Sequence, residues 1–272
     1  MILFDTHSHL QDEAFAAEFG ATVARARAVG VLGITLCGYD AASNLAALEL
    51  AAGVEGVFPT VGYHPHDAKD LTDAAFAVLE AQAALPQVVG IGEIGLDFYR
   101  DHSPHDLQRD ALDRQLGLAA RLGKPVSLHT RGAEDAIYDH LAAYVSESPL
   151  FANGRPPGVM HCFGGTLVQA ERYVALGFLV SIPCAVTYPK NSEARRIAAE
   201  LPLESLVVET DSPYLPPQGK RGQRNEPAYV VTAVEAIAAA RGASVETIAR
   251  RTTENACRLW GVRVGEPVGA AV

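Results

Sequence analysis

The stretch ILFDTHSHL, residues 2–10, governs how the rest of the chain is read. Ile2, Leu3 and Phe4 form an apolar run that reads as a buried strand over residues 2–6, and the polar cluster of Asp5, His7 and His9 falls where that strand should end. Side chains two apart on a strand point to the same side, so His7 and His9 converge on one point as metal ligands do. A hydrogen-bonded surface pair or a strand-end cap fits the same pattern, and H-x-H alone does not separate these readings. What separates them is whether other ligand types recur at equivalent positions further along the chain.

Short runs rich in Val, Ile and Leu do recur, at residues 31–36, 57–61, 88–92, 126–129, 159–161, 178–182 and 206–209. Between them lie alanine-rich amphipathic segments at 12–29, 41–52, 71–84, 105–122, 133–145, 167–176, 192–200 and 228–240, and a further helical segment at 244–260. Continuous apolar strands alternating with helices predict a parallel sheet covered by helices. Eight such units match a (β/α)8 TIM barrel, a single α/β domain over residues 1–262 with an extra C-terminal helix; a doubly wound open sheet is the rival. Residues 263–272, with Gly, Pro and Ala, read as a flexible C-terminal tail.

Composition narrows the function. Among 272 residues, 32 acidic against 22 basic side chains give a net charge of −10, which argues against a broad electropositive face for duplex nucleic acid and permits a metal-filled acidic cleft. No window approaches the ~18 continuous apolar residues of a membrane span, and the first apolar run is too short for a signal peptide, so a cytoplasmic protein without membrane contact is expected. Cys37, Cys162, Cys184 and Cys257 are far apart and form no C-x-x-C, so neither a zinc knuckle nor a disulfide framework is indicated. No obligate protein partner is evident, and a monomer is the default expectation.

A barrel puts its reactive groups at the C-terminal ends of the strands. His7 and His9 end the first strand, His64 and His66 follow the third, Glu93 and Asp97 the fourth, His129 the fifth, His161 the sixth, and Glu209 and Asp211 the eighth. Four histidines with two carboxylates suit two borderline-hard divalent ions, Mg, Mn or Zn. The expected arrangement has His7, His9 and Asp211 on one ion, His129 and His161 on the other, and Glu93 bridging. Two ions about 3.5 to 4 Å apart generate hydroxide at neutral pH and stabilise charge on a phosphoryl or acyl oxygen. Asp211 is expected to serve also as proton acceptor for the attacking water. Beyond it, PPQGKRGQRNEP gathers Lys220, Arg221 and Arg224, candidate phosphate-binding residues in an acidic chain.

Taken together, FDTHSHL, VGYHPH, GEIGLDFYR, KPVSLHTR, MHCFGG, VVETDSPYL, RGQRNEPAYV and TTENACRLW resemble the TatD family of metal-dependent deoxyribonucleases, from about residue 3 to residue 261. The resemblance implies a (β/α)8 barrel and metal ligation by His7, His9, Glu93, His129, His161 and Asp211. It also implies hydrolysis of DNA phosphodiester bonds, exonucleolytic from the 3′ end with a preference for single strands, and puts His64 beside the scissile phosphate as a catalytic helper. The chain departs from the family pattern at Gln223, where relatives commonly carry lysine, and at Pro183 and Cys184, which follow the seventh strand. Tyr99, Phe163 and Tyr188 are available for stacking on bases.

Two other enzymatic readings keep the metals. One is hydrolysis of cyclic amides, disfavoured because related amide hydrolases bridge their metals with a carbamylated lysine where this chain has Glu93. The other is deacylation of mischarged aminoacyl-tRNA. A non-catalytic binding protein is disfavoured because all six family positions carry ligand-type residues.

Overall fold

Eight parallel strands follow one another around a single sheet in chain order, as the computed structural model, which describes residues 1–265, shows. They are β1 (Leu3–Ser8), β2 (Val31–Cys37), β3 (Val57–Val61), β4 (Gly90–Asp97), β5 (Val126–Arg131), β6 (Gly158–Met160), β7 (Leu179–Pro183) and β8 (Leu206–Glu209). Almost every strand residue is buried, as it must be in a sheet with helices outside and packed side chains inside. Sequential parallel order removes the doubly wound alternative, and the architecture is the (β/α)8 barrel.

The seam between β8 and β1 is closed by individual bonds in place of a long ladder. Ser8 and Ser212 form a single parallel bridge, His9 N donates to Ser212 O at 2.7 Å, and Asp211 N donates to His7 O at 3.0 Å. Below these, Thr6 Oγ1 donates to Val208 O at 2.9 Å, and Thr210 donates through its backbone N and its hydroxyl to the Asp5 carboxyl, at 2.9 and 2.6 Å.

The outer layer comprises α1 (Phe19–Ala28), α2 (Ala41–Ala51), α3 (Asp73–Ala83), α4 (His105–Leu122), α5 (Tyr138–Glu147), the short α6 (Pro149–Ala152), α7 (Leu167–Ala175), α8 (Ser192–Glu200), α9 (Val230–Arg241) and α10 (Val245–Trp260). Local chemistry sets their ends. Asp40 with Ser43 and Thr166 with Gln169 form capping boxes on α2 and α7, and Gly123 in a left-handed conformation ends α4. Two expected helices start late. Asp12 caps a 3-10 turn (Glu13–Phe15) that buries Phe15 before α1 begins, and turns occupy residues 134–137 ahead of α5. No single helix among the described residues is long and apolar enough to cross a membrane. Of the expected tail, residues 266–272 lie outside the described residues.

One end of the barrel is sealed by apolar side chains. Phe4, Val159, Leu179 and Val207, each within the first two residues of its strand, pack with Ala256, Leu259 and Trp260 of α10. Gly90 opens β4 here, and a Cβ on it would lie 2.5 Å from the Trp260 ring. The N-terminal mouth is therefore plugged by the last helix, leaving chemistry to the opposite mouth.

Candidate metal centre

The carboxylate of Glu93, 4% exposed, lies at the centre of the C-terminal mouth. Its two oxygens face different partners. Oε2 lies 3.4 Å from His7 Nε2 and 3.4 Å from His9 Nε2; Oε1 lies 3.1 Å from His129 Nδ1 and 3.4 Å from both His64 Nε2 and His161 Nε2. Glu93 comes from the middle of β4, close against β5. Gly92 makes this approach possible, since a Cβ there would meet Ser127 of β5 at 2.7 Å and its φ of +154° is one that other residues rarely adopt.

The ligand atoms gather into three groups, each within 4.8 Å: His7 with His9 and Asp211, His7 with His161 and Glu209, and His64 with Glu93 and His129. The seam builds the first group, because the backbone bonds joining β1 to the residues after β8 bring His9 Nε2 to 3.6 Å from Asp211 Oδ1. His161 follows β6 directly and stacks on His7 with ring centroids 3.5 Å apart, linking the groups. The six expected ligands are thus brought together, and His64 joins them.

Each imidazole is held from behind, which fixes its orientation. His161 Nδ1 pairs with Glu209 Oε1 at 2.9 Å, His129 Nε2 with Asp97 Oδ2 at 3.2 Å, His9 Nδ1 with Cys37 O at 2.9 Å, and His7 Nδ1 with Ser127 Oγ at 3.1 Å. A carbonyl oxygen only accepts, so His9 donates from Nδ1 and presents the Nε2 lone pair. In the tautomer in which His7 likewise donates to Ser127, two Nε2 lone pairs face each other at 3.2 Å beside carboxylate oxygens. That arrangement repels within the protein alone and is complementary to a cation, so the donor set fits divalent metal.

Burial and the neighbouring carboxylates set the electrostatics. Burial drives His7 down to about 3 and His64 down to about 4, so both present neutral rings. Burial opposes charge on Glu93 too, yet the surrounding imidazoles outweigh it and hold the carboxyl well below its usual range. His161 is buried, but Glu209 and Glu93 hold it well above the ordinary histidine value. Burial raises Asp211 to about 6, against the pull of His161 and His9.

The basic residues have partners outside this cluster. Arg224 stacks over Phe15 at 4.3 Å, pairs with Glu18 at 2.9 Å and donates to Ala14 O, which directs its donors toward the α1 side. Arg221 stacks over Tyr188 at 4.6 Å, and Lys220 lies 5.4 Å from the Tyr229 ring centroid. Cys184 is buried under the rim, its Sγ 3.4 Å from Tyr229 O, and Gln223 is exposed. Of the stacking candidates, Phe163 is buried and the Tyr188 hydroxyl is committed to Pro216 O at 2.7 Å; Tyr99 is 66% exposed, with Arg131 lying 4.1 Å over its ring.

Sequence reasoning gave no role to Glu209, Asp97 or Asn225. Strand-end position was the available signal for the first two. Asn225, fully buried, donates to Thr210 O, Tyr214 O and Leu215 O at 2.8, 2.7 and 3.2 Å, pinning the loop that carries Asp211, whose φ is +58°. Nothing local in the sequence announces that role.

A family model described as TatD related DNase matches residues 4–261. The metal-dependent hydrolase YabD of Bacillus subtilis is 34% identical over 261 residues, 96% of this chain and all of that protein. The 3′-5′ ssDNA/RNA exonuclease TatD of Klebsiella pneumoniae is 34% identical across 96% of this chain and 99% of its own length. Among solved structures, the TatD homologue YjjV of Escherichia coli superposes with a TM-score of 0.88 at 33% identity, covering 96% of this chain and 98% of that one.

Proposed function

The chain belongs to the TatD related DNase family as a metal-dependent hydrolase, and from that premise we propose that it is an exonuclease removing nucleotides from the 3′ end of single-stranded DNA with two divalent ions. The observation that carries the reading is the split environment of Glu93, whose two oxygens face two separate sets of imidazoles. His7, His9 and Asp211 would hold one ion, His129 and His161 the other, and Glu93 would lie between them. Ions held there would supply positive charge to a phosphoryl oxygen and activate water.

The protein's own groups do the rest. Asp211, whose Oδ1 lies 3.6 Å from His9 Nε2, is the carboxylate placed to take the proton of the attacking water. His64, neutral and nearly buried beside Glu93, offers a donor to a phosphate oxygen. Arg221 and Lys220, on the exposed loop beyond Asp211, meet the next phosphates, and Arg224 does so on exchanging Glu18 for a phosphate. The unit acts as a monomer in the cytoplasm.

The test is digestion of a 5′-labelled single-stranded oligonucleotide by metal-stripped protein, with Mg, Mn or Zn restored and Asp211→Asn alongside. A metal-dependent ladder shortening from the 3′ end, absent in the variant, is expected. Metal binding without cleavage of DNA would overturn the nuclease reading and redirect assays to aminoacyl-tRNA esters and cyclic amides.

A further inference from the structure

Two tyrosines flank the metal ligand His9 from different loops. Tyr39, after β2, meets its ring edge-on with centroids 5.3 Å apart and planes at 80°; Tyr214, after β8, does so at 6.2 Å and 63°. Tyr39 is partly buried, whereas Tyr214 is 53% exposed. An exposed aromatic ring is ordinarily free to move, but this one stands on a fixed loop. Asn225 holds the Tyr214 carbonyl at 2.7 Å, and Asp211 and Leu215 on either side take left-handed conformations, with φ of +58° and +49°. Beside His9, Gln11 donates to the same Cys37 carbonyl at 2.6 Å, and its Oε1 is buried without a hydrogen-bond partner among the described residues. Burial, aided by Asp12 and Asp211, raises the Tyr214 phenol, and burial takes Tyr39 to about 12, so both stay neutral at physiological pH.

We propose that Tyr39 and Tyr214 form an aromatic subsite beside His9 that takes the base of the terminal nucleotide, with Tyr214 as its stacking surface. The inference rests on the nuclease reading and adds to it how the leaving nucleotide is held. A pre-positioned ring next to the reacting phosphate captures a base at little entropic cost, and because every base has a π-face, it does so without regard to sequence. Gln11 Oε1 adds one acceptor at the edge of the subsite. The rings thus provide grip on the nucleotide, and the metal ligands provide the reaction.

Binding to metal-loaded protein, measured by calorimetry, compares thymidine 5′-monophosphate with 2-deoxyribose 5-phosphate, in which an anomeric hydroxyl replaces the base. The wild-type protein should prefer the nucleotide by about 5- to 150-fold, the range that one stacked base supplies. Tyr214→Ala should bring the ratio close to one, and Tyr214→Phe should keep it; metal content and thermal midpoint of each variant establish that it is folded. In digestion, Tyr214→Ala should raise KM for an oligonucleotide with an ordinary 3′ end and leave KM unchanged for one whose 3′ residue is abasic. Equal effects on the two ends, no wild-type preference for the nucleotide, or an undiminished ratio in Tyr214→Ala would each overturn the subsite. Should the wild-type protein cleave no oligonucleotide, the nuclease reading alone fails, and the binding comparison still decides the subsite.

Discussion

The two mouths of the barrel are built from the same eight strands and have opposite characters. At the N-terminal mouth, Phe4, Leu179, Val207 and Trp260 interlock with no need for polar partners. At the C-terminal mouth, His7, His9, Glu93 and His161 are nearly as enclosed and His129 is partly buried, but together with Asp211 they leave ligand atoms facing one another at 3.1 to 3.6 Å. Burial at the first mouth is its own reward through the hydrophobic effect. At the second it is a cost, which a bound cation would offset. Phe4 and His7 are three residues apart on β1, so the change from scaffold to chemistry happens within a single strand.

The largest break in the comparison comes from Glu93→Gln. Removing the shared charge should reduce hydrolysis by at least ~10³-fold, about 4 kcal/mol, and lower the metal retained after gel filtration, read by elemental analysis. Retention of both ions with full turnover would refute the bridging role. At the other mouth, Trp260→Ala should destabilise the fold by ~3 kcal/mol in urea unfolding while leaving metal stoichiometry and kcat intact. A loss of metal in that variant would show that the two ends are not independent.

Asp5 marks the layer between them, and its effect appears only when pH is varied. Burial raises its carboxyl to about 8 despite the hydrogen bonds from Thr210, against an ordinary value of ~3.9. Between those values the folded chain keeps a proton that the unfolded chain releases. The contribution of Asp5 is therefore complete below about pH 4 and is lost as pH rises toward 8, by up to ~1.4 kcal/mol per pH unit. Asp5→Asn in metal-free protein should remove this component, so that the difference in unfolding free energy between variant and wild type shifts in favour of the variant from about pH 5 to pH 7. A difference independent of pH would mean that Asp5 is ionised in the fold.

Legibility in the sequence follows the same division. Apolar runs marked all eight strands, because scaffold packing leaves a local trace. Strand ends at the reactive mouth were read short: β4 continues to Asp97 and β5 to Arg131, since polar side chains inside a strand read as its exit when in fact they line the site. In β6 the error ran the other way, and His161 lies just beyond the strand. The ligand residue types were visible because each sits at a strand end. Glu209 behind His161, Asn225 behind the Asp211 loop and Tyr214 beside His9 act across 48, 15 and 205 residues of chain. Such contacts have no period or spacing by which to be recognised, and they become apparent only once the barrel brings the elements together.

The seam carries a temporal consequence. His7 and His9 are synthesised some 200 residues before Asp211 and before Ser212, whose carbonyl accepts the bond that positions His9. A nascent chain that has finished seven strands thus holds five of its six expected ligands without the one that completes the first group, and closing so long a loop is entropically demanding. On the proposed ligation, full metal loading would report that synthesis has passed β8 and that the first strand has met the last.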